Sequence, residues 1–245
     1  LVYGINTGFG PLCTTKISKE ETRVLQENIL QSHSVGVGTP IKNELAKLML
    51  VLKIHSLAKG YSGISETTLN RILWHINNDA IPIVPSQGSV GASGDLAPLS
   101  HLFLPLIGLG KVCYNNQIIT TAEFFDKTGL QPLELGPKEG LALINGTQFI
   151  AAHAVVAVDK FHNCLTQADI IGAMMVEGLQ GSIKPFYKEL HDLRPYKGTI
   201  HVAHRIKSLL EGSEIMEAHI DCDRVQDPYS LRCMPQVHGA SRNAW

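Results

Sequence analysis

The stretch 139–181 is apolar on nearly every helical face: Leu141, Ile144, Ile150, Val155, Val158, Ile170 and Met174 follow no single stripe. A surface helix carries one apolar stripe and a polar back, whereas a helix that is apolar all round has to be enclosed by other helices. The chain is therefore expected to be mainly α, a long-helix bundle with this segment in its middle.

The flanking segments agree. Ser18-x-x-Glu21 is a capping box, followed by Leu25, Ile29 and His33 at i, i+4 and i+8, so His33 points inward from a helix ending near Gly36. A second helix is expected over 43–59, with Leu45, Leu48 and Leu52 on one face and Gly60 as its stop. Ser65 caps a third, with Leu69, Ile72, Leu73 and Ile76 repeating. Asp95 is expected to N-cap a fourth, which tolerates Pro98 in its first turn and is kinked by Pro105. Segment 112–120, broken by Asn115-Asn116, predicts a small hairpin. A further helix is expected over 186–211 and an ordered polar loop over 221–238.

Composition narrows the function classes. The 21 basic and 22 acidic residues nearly cancel, which leaves no electrostatic footprint for nucleic acid or an anionic membrane. The longest greasy stretch, 102–110, is far short of the ~20 residues of a membrane helix. Cys13, Cys113, Cys164, Cys222 and Cys233 are odd in number and form no C-x-x-C pair, which predicts a reduced, cytoplasmic compartment rather than disulfides or zinc. His201-x-x-His204 lacks an accompanying carboxylate or thiol motif, so no metal is expected. No signal peptide is visible at Leu1-Val2-Tyr3, and because the chain opens inside a motif, further residues are expected ahead of it.

The run Gly91-Ala92-Ser93-Gly94-Asp95 can carry chemistry in two ways. One is an anion- or nucleotide-binding turn at a helix N-terminus; the phosphate-loop version fails because no Lys-Ser/Thr follows. A nucleophile elbow also fails, since G-x-S-x-G is not satisfied around Ser93. The other is self-cyclisation. Glycine at 94 lets its nitrogen bend back onto the Ala92 carbonyl without a Cβ clash, and Ser93 can then lose its hydroxyl as water, leaving a dehydroalanine-type alkene.

Here the chain resembles a known family. Gly88-Ser-Val-Gly-Ala-Ser-Gly-Asp-Leu-Ala-Pro-Leu-Ser-His101 is similar to the cofactor segment of the aromatic amino-acid ammonia-lyases. Tyr3-Gly-Ile-Asn-Thr-Gly-Phe-Gly10, Gly140-Leu-Ala-Leu-Ile-Asn-Gly-Thr-Gln148 and Gln226-Asp-Pro-Tyr-Ser-Leu-Arg-Cys-Met-Pro-Gln236 match in the same order, spanning essentially the whole chain. The resemblance implies a central helical bundle of the L-aspartase/fumarase type, with a small N-terminal mixed α/β portion carrying the cofactor loop. Residues 1–138 would hold the catalytic tyrosine loop, the cofactor loop and the hairpin. Residues 139–245 would begin the bundle, with the C-terminal half of the family fold absent, including a glutamate that sits near the substrate in histidases.

It also implies a 4-methylidene-imidazol-5-one (MIO) electrophile made autocatalytically from Ala92, Ser93 and Gly94, with no external cofactor. Tyr3 matches the catalytic base and Asn145 the amide that bonds the MIO carbonyl oxygen. Arg232 matches the holder of the substrate carboxylate, a task suited to a bidentate guanidinium; Tyr229 and Gln226 match hydrogen-bonding or proton-relay positions. Taken singly, each has a plainer reading: a loop tyrosine, a buried asparagine, a surface arginine. Ser32-His33 resembles the pair of histidine ammonia-lyases, where His33 would bond an imidazole; some tyrosine ammonia-lyases share it. The implied reaction is elimination of ammonia from L-histidine to urocanate, in a homotetramer with active sites shared between subunits. Tyrosine or phenylalanine elimination, an aminomutase, and a silent oligomerising scaffold with an uncyclised tripeptide remain the alternatives.

Overall fold

The computed structural model describes residues 1–221 and 223–245, so Cys222 lies outside it. Helices dominate, and the chain divides into two compact units, Leu1–Val156 and Ala157–Trp245.

In the first unit α1 (Lys19–His33) starts on the expected capping box, with both halves of the Ser18–Glu21 exchange formed, and stops at His33 rather than near Gly36. Strand β1 (Val37–Pro40), α2 (Asn43–Leu57) and α3 (Glu66–Asn77) follow. The Ser65 side chain caps α3 as expected, accepting from the Thr68 N–H. Strands β2 (Ile81–Pro82) and β3 (Pro85–Gln87) lead into the glycine-rich loop and α4 (Leu96–Phe103). Pro105 ends α4 instead of kinking it: the chain passes into a 3-10 turn, Leu104–Ile107. Strands β4 (Lys111–Tyr114) and β5 (Gln117–Thr120) make the expected hairpin, with Asn115 and Asn116 both left-handed. Helices α5 (Thr121–Thr128) and α6 (Glu139–Ile144) come next.

Two small antiparallel sheets stitch these helices together, β1 with β3 and β2-β4-β5. Leu30, Met49, Leu50, Ile72, Leu99, Phe103, Leu143 and Ile144 form the main core. Each such side chain contributes about 2 kcal/mol. The buried register of α2 is Ala46, Met49, Leu50, Lys53 and Leu57; Leu45, Leu48 and Leu52 are only partly buried. A lysine therefore occupies a core position.

The continuous helix expected over 139–181 is interrupted. After α6 the backbone is extended at Asn145, and α7 (Gln148–Gly178) begins three residues later. Much of α7 is not enclosed: Ile150, Val155, Val158, Phe161 and Ile171 are exposed, and Met174 is 65% exposed. The apolar pattern is present, but among the described residues α7 is only partly covered.

The second unit contains the rest of α7, α8 (Lys188–Asp192), α9 (Lys197–Leu209), α10 (Glu214–Ala218), α11 (Tyr229–Arg232) and α12 (Met234–Ala244). The single helix expected over 186–211 is split at Pro195, which lacks an N–H and disfavours helical backbone at Arg194. The loop expected over 221–238 instead contains α11 and the start of α12. Helices α9 and α12 touch backbone to backbone where Gly198 faces Gly239; a Cβ on either would overlap the other helix. Asp169, on α7, is fully buried and meets Arg242 at 2.5 Å, His238 at 3.0 Å and Arg205 at 3.5 Å.

No helix among the described residues is long and apolar enough to cross a membrane. Among them no cluster of His, Cys, Asp or Glu could hold a metal ion.

Candidate active site

The loop from β3 to α4 is set by its backbone. Gly91, Ser93 and Gly94 have φ of 69°, 60° and 98°. Serine rarely adopts that region, so the surroundings have to hold it there. Asp95 does the holding. It is fully buried and occupies the N-cap position of α4, but its side chain makes no capping bond, contrary to the expectation. One carboxylate oxygen accepts from Ser89 Oγ at 2.6 Å, and the other from the Ile150 N–H at 3.0 Å. Its own N–H donates to the Gly146 carbonyl at 2.7 Å.

Gly94 and Gly146 pair as a parallel bridge. A Cβ on Gly94 would fall well inside van der Waals contact of Gly146 O. Glycine at 94 thus serves two ends: it permits the bend and allows the close approach. Two consecutive left-handed residues, with alanine before them, bend the chain sharply at the place where Gly94 nitrogen would have to close onto the Ala92 carbonyl. The residues fit an MIO group.

The same bridge brings Asn145 alongside the loop. Asn145 is the C-cap of α6, its N–H bonded to Leu141 O at 3.0 Å. It is exposed rather than buried inside the long helix. Its carbonyl accepts from Lys53 Nζ at 2.7 Å. Lys53 is only 1% exposed, and burial pushes its amine down to about 7. Sequence reasoning missed both Lys53 and the linking role of Asp95. The signal for Lys53 is a charge in register with Met49, Leu50 and Leu57 inside an apolar helix.

His33 closes α1, half-buried. Its Nδ1 lies 2.9 Å from the Ile29 carbonyl oxygen, which can only accept, and 3.1 Å from Ser32 Oγ. In the neutral ring Nδ1 therefore carries the proton and Nε2 presents a lone pair. The chain beyond His33 is tied to the loop's approach. Gly36 N–H donates to His101 Nε2 on α4 at 3.0 Å, and Val37 pairs with Gln87. Tyr3 is half-exposed; its hydroxyl oxygen accepts from the Gly10 N–H at 3.2 Å and its ring stands edge-on to Phe9. Among the described residues Tyr3 makes no hydrogen bond to the loop.

The remaining expected residues lie in the second unit. Arg232 Nε donates to the Asp227 carbonyl at 2.9 Å, and its guanidinium sits 5.2 Å from the Tyr229 ring centroid. No carboxylate pairs with Arg232 among the described residues. Arg232 and Gln226 both line a cavity of about 370 Å³ with Ser182, Lys184, His191 and Gln236. Tyr229 is exposed.

The sequence model of the aromatic amino acid lyases matches residues 1–245. The chain belongs to that family. Its relatives include the histidine ammonia-lyase of Myxococcus xanthus (strain DK1622), 50% identical over 240 residues, covering 98% of this chain and 47% of the relative. That of Streptococcus sanguinis (strain SK36) is 43% identical over 244 residues, covering 100% of this chain and 47% of the relative. Among solved structures, the histidine ammonia-lyase of Trypanosoma cruzi superposes with a TM-score of 0.86 at 39% identity, covering 99% of this chain and 44% of that one. The tyrosine aminomutase of Streptomyces globisporus gives 0.87 at 36%, covering 99% and 49%. This aromatic amino acid lyase chain spans about half the length of the curated relatives it matches.

Proposed function

We propose that the protein is a histidine ammonia-lyase, eliminating ammonia from L-histidine to give urocanate. The observation that carries this reading is the left-handed Ser93–Gly94 turn pinned against Gly146, one residue from Asn145. A substrate amine is a poor leaving group and its β-proton is poorly acidic. The MIO formed from Ala92, Ser93 and Gly94 supplies the electrophile that makes the nitrogen easier to expel.

The chain's own residues would do the rest. Asn145 offers an amide to the charge that builds on the loop. Tyr3 takes the β-proton as base. Arg232 grips the substrate carboxylate as a guanidinium without a carboxylate partner of its own among the described residues. Gln226 and Tyr229 hydrogen-bond around it. His33 Nε2, an acceptor by tautomer, suits the N–H of a substrate imidazole, and the histidine ammonia-lyases among the relatives support that choice. A phenol O–H could also meet it, so tyrosine elimination or aminomutation is the second reading. The exposed apolar residues of α7 favour self-association as a homotetramer, and the unpaired thiols suit a cytoplasmic location.

The test is incubation of the intact protein with histidine, tyrosine and phenylalanine while following the conjugated acrylate, together with its intact mass. Urocanate from histidine and loss of two waters from the 92–94 segment are expected. Product from tyrosine alone would remove the histidine assignment, and an unmodified mass without activity would leave only a scaffold.

A further inference from the structure

Lys53 is a buried charged group to which the lyase reading gives no role. It sits on α2 in the main core, and its hydrogen bond to Asn145 O is the only one it makes among the described residues. No carboxylate lies within ion-pair distance of its ammonium among those residues. Taking an ammonium out of water costs several kcal/mol when it is not paired, and a leucine or methionine would suit the α2 register better. Such a group is retained where its one contact matters.

That contact falls on the backbone at the junction of the site. The Asn145 carbonyl is drawn inward by Lys53, and the next carbonyl, of Gly146, accepts the Asp95 N–H. With these two successive carbonyls anchored, the short extended link between α6 and α7 is fixed. Asn145 is thereby held one residue from the Gly94–Gly146 bridge.

We propose that Lys53 is a positioning residue of this site, holding the Asn145–Gly146 peptide in the register that the loop bridge and the Asn145 amide both require. The role rests on the lyase reading above. It predicts that the charge itself is dispensable for folding but that a donor at this point is not dispensable for catalysis.

The experiment compares wild type, Lys53→Met and Lys53→Arg in the intact protein. Three quantities are read: thermal midpoint, hydrogen exchange of the peptide containing the Asp95 amide, and the kcat and KM of histidine turnover. Lys53→Met should keep or raise the midpoint. Its Asp95 peptide should exchange faster, and kcat should fall about 100-fold, the scale of a misplaced catalytic group, with KM little changed. Lys53→Arg, which retains a donor, should recover exchange protection and much of kcat. A Lys53→Met protein with wild-type exchange and kcat would overturn the proposal. So would equal losses in both variants accompanied by a collapsed midpoint, which mark a structural role only. If the wild type itself retains both waters in its 92–94 segment and makes no acrylate, the lyase reading fails and takes this role with it.

Discussion

The Asp95 N–H donates to the Gly146 carbonyl, and the Asp95 carboxylate accepts the Ile150 N–H, so one buried residue ties the link after α6 to the first turn of α7. The glycine-rich loop and the Asn145 turn are thereby a single piece of backbone structure, although they are far apart in sequence.

Gly94→Ala should therefore fail in two ways. The new Cβ would overlap Gly146 O, and a φ of 98° is strained for any L side chain. We expect a stability loss of about 2 kcal/mol or more and no ring closure, because the loop has to separate from Gly146. Denaturant melts measure the first; a peptide mass that retains both waters measures the second. A variant that closes the ring normally would show that the close approach is not needed.

His33→Leu removes the Nε2 acceptor while keeping an apolar body at the end of α1. Turnover of histidine, as kcat/KM, should drop about 10- to 100-fold, the scale of one unpaired polar group on a bound substrate. Turnover of phenylalanine should fall less or rise. Steady-state kinetics on both substrates checks this, and equal loss on both would argue against a selector role.

Asp169→Asn leaves Arg205, Arg242 and His238 facing one another without a counter-charge. Breaking such a group by removing one partner costs about 3 kcal/mol. The loss should appear in chemical denaturation of the intact protein. Substituting exposed Glu134, which pairs with exposed Arg23, should cost well under 1 kcal/mol.

His75 makes folding sensitive to mild acid. Burial pushes its pKa down to about 4, opposed by the bond from its Nδ1–H to Ala80 O and aided by nearby Arg71. The unfolded chain takes up the proton first, near its ordinary value of about 6.5. The stability this neutral ring contributes is thus fully present above about pH 6.5 and is lost as pH falls toward about 4, up to roughly 3 kcal/mol. Denaturation across that window should show a slope that His75→Phe reduces by one proton. An unchanged slope would mean that the ring is not the group responsible.

Much of the fold could be read locally. The Ser18–Glu21 box, the Ser65 cap and the left-handed Asn115–Asn116 turn are decided by residues within a few positions of each other, so their sequence signals suffice. The order alanine, serine, glycine at 92–94 is likewise a local feature, and it is what the proposed cyclisation would require. At two places where the reading went astray, a distant contact had intervened. Asp95 has the composition of a cap, but Ser89 and Ile150 claim its two oxygens. Asn145 follows a helical pattern, but Lys53 and the bridge to the loop stabilise an extended backbone there.

By itself, then, the sequence determined the order of motifs and the capped starts of α1 and α3, because each depends on short-range sterics and capping. Only the tertiary structure decided that Lys53 is buried, that Asp95 is a clamp, and that Gly94 lies against Gly146. Those depend on which helix face meets which neighbour, and periodicity cannot choose between adjacent faces when both carry leucine.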